Sequence, residues 1–146
     1  NKKGKIMYFF GIDPDVKESG FAIWDNKTKE IDYGKLSFWD LIKKIEYYAK
    51  CYDVKFIIEA GWLNKKSNFH CRPNQSKLIG ERIAKNVGSN HQVGKLLVEY
   101  CEKYKLNYEL KVPKTKKYTS YYLKNLTGLE VKNQDIIDAI MLVWGI

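Results

Sequence analysis

Two aspartates three residues apart, Asp135 and Asp138, stand in the segment NQDIIDAIMLV near the end of the chain. On a helix this spacing puts both side chains on one face, within reach of a common ion. Acids so spaced are more often a solvated helix face than a ligand set. Asp138, however, is embedded among Ile136, Ile137, Ala139, Ile140, Met141, Leu142 and Val143, where a carboxylate without a partner is costly. Two further carboxylates end apolar runs: Asp13 follows residues 6–12 and Glu59 follows residues 54–58. If those runs are neighbouring strands, both acids emerge at one sheet edge, and the last helix can present Asp135 and Asp138 to them. Four carboxylates packed together repel, which implies bound cations or raised proton affinities. Hard oxygen donors suit Mg2+ or Mn2+. Two such ions about 4 Å apart activate a water and stabilise the leaving oxygen of a phosphodiester. The alternative assignment gives Asp13 only a turn to shape and Glu59 only a lysine to pair with.

The elements that must position these acids follow from periodicity. Residues 6–12 read as a buried strand stopped at Asp13-Pro14; residues 20–24 and 30–36 read as two more, joined through the turn Asp25-Asn26-Lys27. Leu41, Ile42, Ile45 and Ala49 recur at helical spacing over residues 39–50, with Ser37 as the cap. The fourth strand covers residues 54–58, and residues 60–87 form a polar, basic loop. Val93, Leu96, Leu97 and Tyr100 mark a helix over residues 89–105, and residues 106–112 alternate as a fifth strand closed by Pro113. A basic segment at 111–117 leads into a helix ending at Gly128, and Asn133 caps a last helix through Trp144. The order predicts an α/β protein, a five-stranded mixed sheet with helices on both faces.

The 146 residues suit one domain, 1–146. A net charge of +9 favours a polyanionic partner; plain solubility is the alternative. No apolar run approaches the roughly 20 residues that span a bilayer, so no membrane role is expected. The run at 6–12 is short, ends in an acidic turn and lacks a small-residue cleavage site, so it reads as a strand, not a signal peptide. Cys51, Cys71 and Cys101 are widely spaced, which suggests thiols in a reducing, cytoplasmic compartment. His70 adjoins Cys71, yet Cys51, His91 and Cys101 show no finger-like spacing, so zinc is not expected.

Several segments resemble the RuvC-like Holliday-junction resolvases of the ribonuclease H-like superfamily. GIDPD at 11–15 with Ser19-Gly20 is similar to that family's first-strand motif, and IIEAGW at 57–62 to its fourth-strand glutamate motif. NVGSNHQVGKLLVEY at 86–100 resembles the following helix, while VPKTKKY at 112–118 and TGLEVKNQDIIDAIMLVWG at 127–145 resemble the C-terminal half of phage-type members. The resemblance implies a ribonuclease H-like fold in which Asp13, Glu59, Asp135 and Asp138 bind two Mg2+ (or Mn2+) ions. It further implies a homodimer that nicks two strands of a four-way DNA junction, in a bacterial or phage-infected cell.

Family members also carry a base-stacking aromatic after the fourth-strand glutamate and a lysine near the active site. Trp62 and Lys117 match these most nearly, with Lys114 and Lys116 as competitors for the lysine. For Trp62 a packing role is the alternative. Lys65, Lys66 and Arg72, with Lys114, Lys116 and Lys117, are the expected DNA contacts. Asp15 stands where the family usually has glycine, which leaves its turn and a place in the metal sphere open. The same carboxylates would serve a nuclease acting on RNA–DNA hybrid or structured RNA. A catalytically silent module binding branched nucleic acid would not need the acidic quartet. An actin-like phosphotransferase would need two large lobes and glycine-rich phosphate loops absent here.

Overall fold

Five strands form one mixed sheet in the computed structural model, which describes residues 5–64 and 77–146. They are β1 (Tyr8–Asp13), β2 (Ser19–Asp25), β3 (Ile31–Leu36), β4 (Val54–Glu59) and β5 (Tyr108–Lys111), in spatial order β3-β2-β1-β4-β5. The β1–β2 and β2–β3 pairs are antiparallel, as expected of strands joined by short turns; β1–β4 and β4–β5 are parallel. Each parallel pair is joined through chain that includes a helix: α1 (Phe38–Cys51) between β3 and β4, and α2 (Lys77–Lys103) between β4 and β5. Two helices close the chain, α3 (Ser120–Thr127) and α4 (Gln134–Val143). This is the expected α/β architecture, consistent with the ribonuclease H-like fold. No helix among the described residues is long and apolar enough to cross a membrane.

The period-2 alternation of the strands sorts the core into two layers. Phe10, Ile12, Phe21, Ile23, Phe56 and Ile58 pack with Leu41 and Ile45 of α1 and Val93 and Leu97 of α2. On the other face Ala22, Trp24 and Ile57 meet Leu123 of α3 and Ile137, Ala139, Ile140 and Val143 of α4. Local chemistry fixes the helix ends. The Ser37 hydroxyl accepts from the Asp40 amide, and the Thr119 hydroxyl from the Tyr122 amide. The Asn133 side chain accepts from the amides of Asp135 and Ile136, and Gly128 ends α3 at φ 80°.

One expectation changes. The stretch read as a basic loop to residue 87 is helical from Lys77 onward, so α2 begins twelve residues before the expected start at Ser89. The polar, basic composition reads as a loop, but Glu81 to Val87 include helix formers such as Ala84 and Lys85, and Gly80 and Gly88 cost a long helix only about 1 kcal/mol each.

Helix α4 packs closely on the sheet because small residues line its seat. A Cβ at Gly11 would stand 2.8 Å from the Ala139 carbonyl oxygen and 2.9 Å from Val143 Cγ1. One at Gly20 would collide with the Asp135 carbonyl group, and Ala22 between them is fully buried. Gly20→Ala must therefore lift the first turn of α4 off β2, since no flexible side chain is there to yield. We expect a loss of about 1–3 kcal/mol, seen as a melting temperature lowered by about 5 °C. An unchanged melting curve would show that this contact does not hold α4 down.

Candidate active site

The same alternation that turns Phe10 and Ile12 towards α1 and α2 turns Gly11 and Asp13 towards α4. On β4 it turns Ile57 and Glu59 the same way. Since Ile12 is paired with Ile58 in the parallel β1–β4 ladder, Asp13 and Glu59 follow side by side at the strand ends. The close seat of α4 brings Asp138 down to them. Oxygens of Asp13, Glu59 and Asp138 lie within 4.8 Å of one another, with Glu59 and Asp138 buried.

Asp138 is held from both sides. Its Oδ1 accepts from Gln134 Nε2 at 2.9 Å and its Oδ2 from Lys117 Nζ at 3.1 Å. The Lys117 ammonium also stands 3.9 Å from Glu59 Oε1. Of the three lysines that competed for this place, Lys117 is the one that reaches the acids. Lys114 and Lys116 line the adjoining cleft, together with Lys111 and Tyr118. Burial works to lower the proton affinity of Lys117, but the charges of Asp138, Glu59 and Asp13 outweigh it and hold the ammonium protonated.

The acids show the opposite strain. Burial, reinforced by the charges of Glu59, Asp135 and Asp138 and opposed by Lys117, pushes Asp13 up to about 10. Glu59 is raised as well, first by burial and then by Asp138, against the lowering influence of Lys117. One lysine does not neutralise this cluster, and a divalent cation among three converging carboxylates would. The donor set is all hard oxygen, which fits Mg2+ or Mn2+.

Asp135, the fourth acid of the expected quartet, stands apart from the triad. Its Oδ2 pairs with Lys35 Nζ at 3.4 Å, although its charge reaches Asp13. Asp15 accepts from the Lys17 amide at 2.9 Å, and its own amide donates to the buried Ser19 hydroxyl at 3.0 Å. It is not among the residues with positive φ, so the turn needs no glycine there. Asp15 shapes the β1–β2 turn and is not in the acidic cluster. Lys65, Lys66, Arg72, Cys71 and His70 lie outside the described residues.

Trp62, in the 3-10 turn Gly61–Leu63, packs partly buried against the α1/α2 layer. Its ring occupies the space that a side chain at Gly94 of α2 would need, and a Cβ there would also stand 3.3 Å from Pro14 Cγ. Trp62→Ala is therefore expected to lower stability by about 3 kcal/mol. Unchanged melting would instead count against the packing role and leave the base-stacking one.

Two residues outside the expected set matter here. Gln134 lies one helical turn before Asp138, a spacing that could have exposed it. Lys35 had no such signal, because it reaches Asp135 only through the sheet register that pairs it with Gly20. No protein-family model and no curated protein matches this chain.

Proposed function

We propose that this protein is a Mg2+- or Mn2+-dependent endonuclease of the RuvC type, acting as a homodimer on four-way or otherwise branched DNA in the cytoplasm of a bacterial or phage-infected cell. The observation that carries the reading is the buried convergence of Asp13, Glu59 and Asp138 at the ends of two parallel strands and on α4. The raised proton affinities of Asp13 and Glu59 call for cations, and the chain's charge of +9 calls for a polyanion.

In this reading Asp13, Glu59 and Asp138 hold the ions, and Asp135 joins them when it leaves Lys35. Bound ions of this kind supply Lewis acidity, activating water and stabilising the leaving oxygen of a phosphodiester. The chain's own groups do the rest. Gln134 and Lys117 fix the two oxygens of Asp138, so the carboxylate does not reorient as charge changes around it. Lys117 places a permanent positive charge at the edge of the acids, suited to a phosphate oxygen. Lys114 and Lys116 extend that field along the cleft.

Incubation with a synthetic four-way junction, a linear duplex and an RNA–DNA hybrid, with and without Mg2+, tests the proposal. Paired nicks in the junction that need the metal are expected. Preferential cutting of the hybrid would move the protein to the RNA-directed branch of the same chemistry, and binding of the junction without cutting under any metal would make it a silent binding module.

A further inference from the structure

The cleft beside the acids has a volume of about 350 Å³ and one aromatic wall. Glu59 and Asp138 share its lining with Lys114, Lys117, Tyr118 and Met141. The Tyr118 ring is stacked on Tyr122, centroids 5.6 Å apart and planes 28° from parallel, and the Lys114 ammonium lies 5.4 Å from the Tyr118 centroid. Tyr118 directly precedes Thr119, the cap of α3, so the ring is carried on a fixed helix start with Tyr122 one turn behind it. Its main chain is tied to the acids: Gln134 Nε2 donates both to the Tyr118 carbonyl, at 3.0 Å, and to Asp138 Oδ1.

We propose that Tyr118 is a stacking platform for one unpaired base of the strand whose phosphate lies at Asp13, Glu59 and Asp138. This rests on the nuclease reading given above. A cation over an aromatic face marks a surface that accepts a flat, polarisable group. Lys114 also hydrogen-bonds the Tyr118 side chain, but it is exposed and on a flexible stem, so that a base taking that face would turn it to the adjoining phosphate. The cleft is of single-ligand size, and a base can offer its π-face to a protein ring only when it has left its own stack. The Gln134 bridge then sets the distance between the captured base and the carboxylates, so that an unpaired nucleotide fixes which phosphate is presented. Selectivity for branch points, where bases unpair at least cost, follows.

The test uses the full chain and a junction carrying the fluorescent base 2-aminopurine at unpaired or branch-point positions, with binding read in EDTA and cutting read in Mg2+. Binding by the parent protein is expected to change the fluorescence at one position near the cut as the base moves onto the ring. Tyr118→Phe should keep that signal. Tyr118→Leu, which retains apolar packing, should lose it and bind the junction about tenfold more weakly while binding blunt duplex as before. Should the leucine variant melt early, the parent protein's fluorescence still decides: no position-specific change in a junction that it binds and cuts overturns the stacking site and leaves the nuclease reading intact. A parent protein that neither binds nor cuts any branched DNA overturns both.

Discussion

Asp138→Asn is expected to lower the rate of Mg2+-dependent cleavage by about a thousandfold, the equivalent of roughly 4 kcal/mol of lost transition-state stabilisation. The substitution keeps the shape of the side chain and its Oδ1, so the 2.9 Å bond from Gln134 can persist. What disappears is the negative charge that would help hold a divalent ion, together with the strong pairing of Oδ2 with Lys117. Junction affinity should be unchanged or higher, because removing an anion from a basic cleft favours a polyanion. Single-turnover cleavage and a binding titration, side by side, check both halves. Near-normal turnover in Mg2+ would sink the metal-centred mechanism.

The second large effect is on stability against pH. Asp13 holds its proton in the folded protein up to about 10, whereas an unfolded aspartate releases it near the model value of 3.8. A folded pKa above the unfolded one means that the folded state binds the extra proton across this window. The associated stability is complete below about pH 4 and is lost progressively as pH rises towards 10. In EDTA the slope from this group alone reaches about 1.4 kcal/mol per pH unit, or roughly 3 °C per unit in melting temperature. Glu59, raised in the same sense, adds to it. Mg2+ should reverse the trend, raising the melting temperature more at pH 9 than at pH 6, since it competes with that proton. Asp13→Asn should flatten the EDTA profile and abolish the Mg2+ increment. A metal-free profile already flat between pH 5 and 9 would show that the triad carries no such strain.

Particular residues show how far the sequence alone reached. Asp13 and Glu59 were legible because each closes an apolar run, and Asp138 because a carboxylate among seven apolar neighbours demands a partner. The caps at Ser37, Asn133 and Gly128 were legible because capping is chemistry between near neighbours in the chain. The first three turns of α2 were not, since the polar, basic composition of the segment reads as a loop and the compensating length of the helix is invisible to a short window.

By itself the sequence determined the order of strands and helices along the chain, the α/β class and a set of four acids of which three converge, all of which rest on periodicities of two and 3.6 and on the cost of burying charge. Tertiary structure alone decided that Asp135 pairs with Lys35 outside the triad, that Lys117 and not Lys114 or Lys116 reaches Asp138, and that Trp62 packs over Gly94. It also decided the height of α4 over the sheet, through Gly11 and Gly20. Each of these depends on register or on an approach between residues far apart in the chain, and a local pattern of residue types carries no distance between them.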